Sequence, residues 1–320
     1  MNPKDLASLR QDLPLAMDFD YFADRESAWL LSKLLPEDAK VGAIKKGHLA
    51  RFLDRPTVKP VVAASGGVVR RADVAAVAQA DSAWREALSP AATAGVMHAY
   101  GLPWHDFELS FTSWGDDEYW GQQMSRPGGN LVVQLGFPSD HAALMGKYFG
   151  TSDRKDFEAT HHPIKTIGRP TLAWCRLDIE DGVALIEEVQ SDWLRFVRDE
   201  VEYLTDCMPR DRELARLEMY EANLRTRYDK IWPKAMLLAV LGILVEVLGV
   251  KTVYMHRPKT GNILKHIGYE TPPVSLYTQL PKSFGFSLSD DVPPFLARKR
   301  KKDIKKLQRG GEPLFWKHSF

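Results

Sequence analysis

Five polar side chains crowd the end of an apolar run. In VALIEEVQSDW, residues 183–193, Glu187, Glu188, Gln190, Ser191 and Asp192 follow Val183, Leu185 and Ile186 and are closed by Trp193. A carboxylate at the end of a core strand can take a proton from a reacting amine, directly or through water, if burial lifts its pKa. A neighbouring amide and hydroxyl, here Gln190 and Ser191, can orient a substrate. Adjacent strand residues face opposite ways, so one of Glu187 and Glu188 is expected inside, where a carboxyl must find a partner or hold a proton. The same residues also admit a structural reading, with the inner Glu in a salt bridge and Ser191-Asp192 capping a helix that begins near Trp193. Upstream, His161 and His162 are candidates for a base or a metal ligand. With no third ligand at recognisable spacing, no metal site is assigned. Downstream, Thr260-Gly261-Asn262 reads as a turn at a helix start whose backbone N–H groups would meet an anion, although no full glycine-rich phosphate loop surrounds it. Ser139-Asp140-His141-Ala142 has the residue types of a triad but reads better as the cap of a short helix.

These groups need a sheet end to carry them. The runs 171–178 (TLAWCRLD) and 183–189 read as strands, and the Asp181-Gly182 pair between them is a hairpin signal. Residues 194–227 have the spacing of a charged helical pair broken at Pro209. Trp232-Pro233 opens an apolar helix over 234–248 that Gly249 ends, followed by a strand over 251–256 and a short helix over 263–267 stopped by Gly268. Before the hairpin, 109–113 and 131–137 read as strands, with Pro127-Gly128-Gly129-Asn130 as the loop before the second. The aromatics of 104–120 read as core or subunit contact, with a ligand groove as the alternative. Residues 1–100 read as a mostly helical subdomain with helices over 24–35, 44–53 and 72–80 and an extended run over 58–64. An α/β domain spans 101–296 with a helical insertion at 194–231, and 297–320 reads as a basic C-terminal tail. Its run 298–306, RKRKKDIKK, suits a solvated helix face or non-specific, salt-dependent contact with nucleic-acid phosphates.

The chain has 320 residues, with 43 basic against 42 acidic side chains, so bulk charge recruits neither nucleic acid nor membrane. Cys175 and Cys207 are its only cysteines, too few for a disulfide framework, which suits a reducing compartment. The start, MNPKDLASLRQDLP, lacks a basic-then-apolar signal pattern. The most hydrophobic run, 235–250, contains Glu246 and falls short of the roughly 20 apolar residues a membrane span needs. A cytoplasmic protein with no membrane partner is expected.

In order, the hairpin, polar strand end, apolar helix, strand, short helix and Gly268-Tyr269 resemble the core of the GCN5-related N-acetyltransferase fold. The resemblance implies an α/β (α+β) fold on a mixed, mostly antiparallel sheet. It implies acyl-CoA as cofactor, acyl transfer to an amine with Glu187 or Glu188 as general base, and Thr260, Gly261 and Asn262 near the cofactor's phosphate or pantetheine. The chain departs from the family where a glycine-containing pyrophosphate loop would follow the second hairpin strand; the charged insertion 194–231 stands there instead. A narrower resemblance rests on Glu187-Glu188-Val189-Gln190-Ser191-Asp192-Trp193, which looks like the EEIQSD(W) signature of proteins of phages, prophages and plasmids, often modules of large polyvalent proteins. It extends over about 127–269, including His161-His162, the Trp232-led helix and Thr260-Gly261. It implies a mobile-element origin rather than a reaction. Two other functions stay open: a non-catalytic module that binds a host or phage protein through its aromatic surface and the 194–231 arm, and a non-specific nucleic-acid binder. A cleft between the two central strands, reaching the level of Glu187 and Glu188, would favour the enzyme.

Overall fold

The Asp181-Gly182 turn forms as its sequence predicts. In the computed structural model, which describes residues 1–79, 104–115, 123–150, 157–159, 162–164, 168–207, 212–267 and 273–320, Glu180 pairs with Val183 across it. Asp181 and Gly182 both take positive φ, 52° and 71°, the left-handed conformations that match a two-residue turn to strand twist. The hairpin sits in the middle of a sheet.

The main sheet has eight strands in the order β1-β4-β5-β6-β7-β8-β10-β9. In chain order these are β1 (Ala16–Phe22), β4 (Trp104–Trp114), β5 (Asn130–Gly136), β6 (Thr171–Glu180), β7 (Val183–Gln190), β8 (Thr252–His256), β9 (Ser287–Ser289) and β10 (Phe315–Ser319). A two-stranded ribbon of β2 (Asp38–Lys40) and β3 (Val68–Arg70) lies apart. Every neighbouring pair of the main sheet is antiparallel except β7 and β8, which run parallel. The protein is a mixed α/β fold on a mostly antiparallel sheet. Parallel neighbours need a long crossover, and the helices Asp192–Cys207, Arg212–Tyr228 and Trp232–Gly242 provide it. The Trp232–Gly242 helix is buried continuously from Ala235 to Leu241 because it packs across β5 and β6 and against the Arg25–Leu34 helix. An apolar helix with no polar face has no other stable place in a globular fold. It does not run unbroken to 248; Ile243–Val247 form a π-helical turn that leaves Val247 exposed. Among the described residues no helix is long and apolar enough to cross a membrane.

Several local expectations change. Residues 58–64 are not extended: Lys59–Ala64 is a helix with Pro60 in its first turn, where a missing N–H costs nothing. The 44–53 helix divides into Val41–Ile44 and a 3-10 turn, His48–Phe52. Phe107 and Phe111 are fully buried in the core, whereas Trp104, stacked on Phe22, and Trp114 stay half-buried; 116–120 lie outside the described residues. The sheet also crosses the expected boundaries at 100 and 297. β1 pairs with β4 along its whole length, and β10 sits between β8 and β9. The basic run is folded into Pro294–Lys299 and Lys301–Gln308, with Ile304 and Leu307 buried, so it is not a tail.

Candidate functional site

The ladder between β7 and β8 ends early. Their residues pair from Val183 with Thr252 to Ile186 with Met255, and the next residues, Glu187 and His256, stand where the strands part. A cleft of about 370 Å³ opens there. Among the buried side chains that line it are Glu187, Glu188, His256 and Lys265. Gln190, Ser191, Trp232 and Pro233 line it from one side, and Gly261, Asn262, Leu276 and Tyr277 also border it. Arg198 and Asp229, both exposed, and the half-buried Arg195 and Arg257 lie at its margin.

A β-bulge explains why both carboxylates reach one cleft. A regular ladder from the Glu180–Val183 turn would set Arg176 opposite Glu187; the register instead shifts between Arg176 and Leu177, so that Arg176 faces Glu188 and Glu187 is the extra residue. A bulge re-aims a side chain that simple alternation would send to the other face. Both carboxylates are buried, Glu187 at 0% and Glu188 at 6% exposure, so the expectation of one inner and one outer Glu does not hold.

Each buried carboxylate has its own partners. Ser125 donates its hydroxyl to Glu187 Oε2 at 2.7 Å and its backbone N–H to Oε1 at 3.2 Å. His256 Nε2 lies 3.1 Å from Glu187 Oε2 and 2.8 Å from Ser125 Oγ. The other ring nitrogen, Nδ1, is buried and has no hydrogen-bond partner among the described residues. The loop carrying Ser125 is anchored by the next residue, Arg126, whose guanidinium grips the buried Asp178 at 2.6 and 2.8 Å, a two-point geometry a lysine could not reproduce. Glu188 forms an ion pair with Arg176, accepts from Gln190 Nε2, and lies 3.6 Å from Lys265 Nζ. Lys265 also donates to the Glu187 carbonyl at 3.2 Å, and Tyr277 Oη accepts the Val189 N–H at 3.3 Å. Those two contacts cover β7 backbone groups just beyond the end of the β8 ladder.

The charges follow from this geometry. Burial pushes the Glu187 carboxyl up, but the hydrogen bond and charge of His256, with Lys265 and Arg176, outweigh it and bring it down to about 2. Glu188 is held low in the same sense, burial being overcome by Arg176 and Lys265. Neither Glu is the carboxyl raised by burial that a direct general base requires. Lys265 is the group shifted toward neutrality: burial lowers its pKa and the Arg176 charge lowers it further, against the pull of Glu188 and Glu187.

The structure thus brings Glu187, Glu188, Gln190 and Ser191 to one cleft with Gly261 and Asn262. It places the other expected residues elsewhere. Asp192 is buried behind the cleft wall, accepting from Trp174 Nε1 and contacting His162 Nδ1, both at 2.7 Å, and pairing with Arg195. It holds the start of the Asp192–Cys207 helix, and His162 is committed to it; His161 lies outside the described residues. Ser191 caps the helix weakly, its Oγ 3.4 Å from the Leu194 N–H, while donating to Leu172 O at 2.6 Å. Thr260 gives its hydroxyl to Leu314 O. The expected turn at Thr260-Gly261-Asn262 is helical, because the helix begins at Pro258 and Gly261 N–H already bonds Arg257 O. The Gly261 amide is therefore taken up within the helix. At Ser139-Asp140-His141, Asp140 pairs with Arg227 and provides no side-chain cap, and His141 stacks on Phe137; no triad forms. Among the described residues, no three His, Cys, Asp or Glu side chains group as a metal site would require.

Compared with known protein families, characterised proteins and solved structures, the chain matches none. The site's meaning rests on its own chemistry. Residue-type reading missed His256, Lys265, Arg176 and Ser125. Their signal was present in part: Arg176 interrupts the apolar run TLAWCRLD, and His256 ends the apolar KTVYMH as Glu187 ends VALIE.

Proposed function

We propose that the chain transfers an acyl group from a phosphate-bearing thioester of the acyl-CoA type to an amine in the cleft between β7 and β8. One observation carries the reading: the two central parallel strands separate at Glu187 and His256 and open a cleft with buried acid, imidazole and amine groups. This is the feature that favours the enzyme over its rivals. Arg195, Arg198 and Arg257 at the margin suit the phosphates of such a donor. The order of hairpin, crossover, strand and short helix supports the acetyltransferase-like reading from the side of the fold. The EEVQSDW stretch leads us to propose the phage, prophage and plasmid proteins as its relatives.

The rival readings have less behind them. Among the described residues the helical pair exposes only scattered large apolar side chains, Tyr203 and Met219, which is ordinary for a surface. The basic run is partly tied up, Arg298 with Glu180 and Arg300 with Asp303, which leaves at most generic phosphate contact.

Calorimetric titration with acetyl-CoA, together with thiol release in the presence of a primary alkylamine, tests the proposal. Saturable binding that Arg198→Glu weakens, with amine-dependent thiol release, is the expected result. Neither binding nor thiol release would end it.

A further inference from the structure

Among the cavities, buried titratable groups and exposed patches, the pairing of Glu187 with His256 goes furthest. It rests on the acyl-transfer reading and deepens it. Glu187 is the residue whose type suggested a base, yet the hydrogen bonds around it assign it another task. Its Oε1 and Oε2 both accept from Ser125, so the Ser125 hydroxyl hydrogen is already placed. The Ser125 oxygen and Glu187 Oε2 both then face His256 Nε2, at 2.8 and 3.1 Å. Two acceptors on one ring nitrogen require that nitrogen to carry the proton. In the neutral ring, Nδ1 is then bare, and among the described residues it is buried without a hydrogen-bond partner, in a residue that lines the cleft.

We propose that His256 is the general base of this site through Nδ1, with Glu187 and Ser125 as positioning residues that fix the ring and its tautomer. The acceptor amine attacks the thioester carbonyl carbon, and its lone pair forms the C–N bond. Nδ1 takes one N–H proton from the nitrogen as the tetrahedral adduct forms. The C–S bond breaks, the sulfur leaves with the electron pair, and the imidazolium returns the proton to the thiolate. Amide and thiol are the only products, and the ring ends as it began. The imidazolium is stabilised by the carboxylate behind it. The other charged groups at this end of the cleft are Glu188 on the bulged strand and, paired with it, Arg176 on β6 and Lys265 after the Pro258–Leu264 helix; the Phe315 ring of β10 lies 5.5 Å from the His256 ring.

The test compares the unaltered protein with His256→Gln and Glu187→Gln, using acetyl-CoA and a primary alkylamine. His256→Gln should bind acetyl-CoA as the parent does while kcat falls on the order of 100-fold and the acidic limb of the kcat/KM profile disappears. Glu187→Gln should keep that limb but move it to lower pH, because the charge that favours the imidazolium is gone; a merely structural Glu187 would not move it. Nitrogen-15 spectra of the histidine-labelled parent should show Nε2 protonated and Nδ1 bare near neutral pH, a readout independent of whether the variants fold. A protonated Nδ1 in the neutral ring overturns the assignment. So does a His256→Gln enzyme that keeps its rate and acidic limb, which leaves acyl transfer standing. A parent that neither binds acetyl-CoA nor releases thiol overturns the acyl-transfer reading and this role with it.

Discussion

His256 and His141 are both buried, at 1% and 2% exposure, and their surroundings have little else in common. At the cleft, His256 faces the Glu187 carboxylate, which can stabilise an imidazolium. Across β5 and β6, His141 stacks on Phe137 at 3.5 Å, meets the edge of Trp193 at 5.5 Å, and lies 3.2 Å by its Nε2 from the Tyr220 hydroxyl. Trp193 Nε1 donates to that same hydroxyl at 2.8 Å, so the Tyr220 hydrogen is free to reach His141. Burial drives the His141 pKa down to about 3, and the Arg227 charge adds to it; His105 nearby falls to about 4 for the same reasons. Burial of an imidazole therefore says little about function. Its partner and its access to a cavity say more, and Trp193, which closes the EEVQSDW stretch, belongs to the structural cluster.

Acid should separate the two regions most strongly. His141 and His105 have folded pKa values below the 6.5 of the free side chain, so their neutral forms are favoured in the fold. Their contribution is complete above pH 6.5 and is lost as pH falls toward those values, because the unfolded chain takes up protons that the fold refuses. From pH 6.5 to 4 the loss should be on the order of 3 kcal/mol for each histidine. Denaturant unfolding at the two pH values measures it, and His141→Phe should remove about half. An unchanged acid slope in that variant would break the comparison. The cleft responds lower: Glu187, moved from 4.5 to about 2, stabilises above pH 4.5 and loses its contribution as pH falls from there toward 2.

Next in size is Glu188→Gln. It leaves the guanidinium of Arg176, a group 2% exposed, without its carboxylate, and stranding a buried charge costs roughly 3–5 kcal/mol. A melting temperature within a degree or two of the parent would show that Lys265 and water compensate. Glu187→Gln should be milder, about 1–2 kcal/mol, because it removes hydrogen bonds from Ser125 and His256 without stranding a guanidinium, which keeps its charge. If the two variants lose equal stability, the division of labour between the two carboxylates is wrong. Tyr277→Phe should have the smallest effect, about 1 kcal/mol, from a Val189 N–H left without the acceptor it has at 3.3 Å. Amide exchange at Val189 faster than in the parent would locate that loss at the open end of the strands.

The hairpin over 171–189, the pair of charged helices that follows it, the apolar helix after Trp232 and the strand over 252–256 were all legible, because hydrophobic spacing and turn residues act over a few positions. The polar cluster was legible as a cluster for the same reason. The register beyond the turn was not: a single extra residue at Glu187 turns both carboxylates to one cleft, and no local pattern announces a bulge. Nor could the sequence bring together Ser125, Glu187 and His256, which are joined only because β7 and β8 are parallel neighbours and Arg126 ties the loop before β5 to Asp178. The helix start at Pro258 and the place of β10 between β8 and β9 were also decided by packing. Side-chain types set which protons can move. Which groups hold them depends on distances between segments far apart in the chain, and those distances exist only once the sheet has formed.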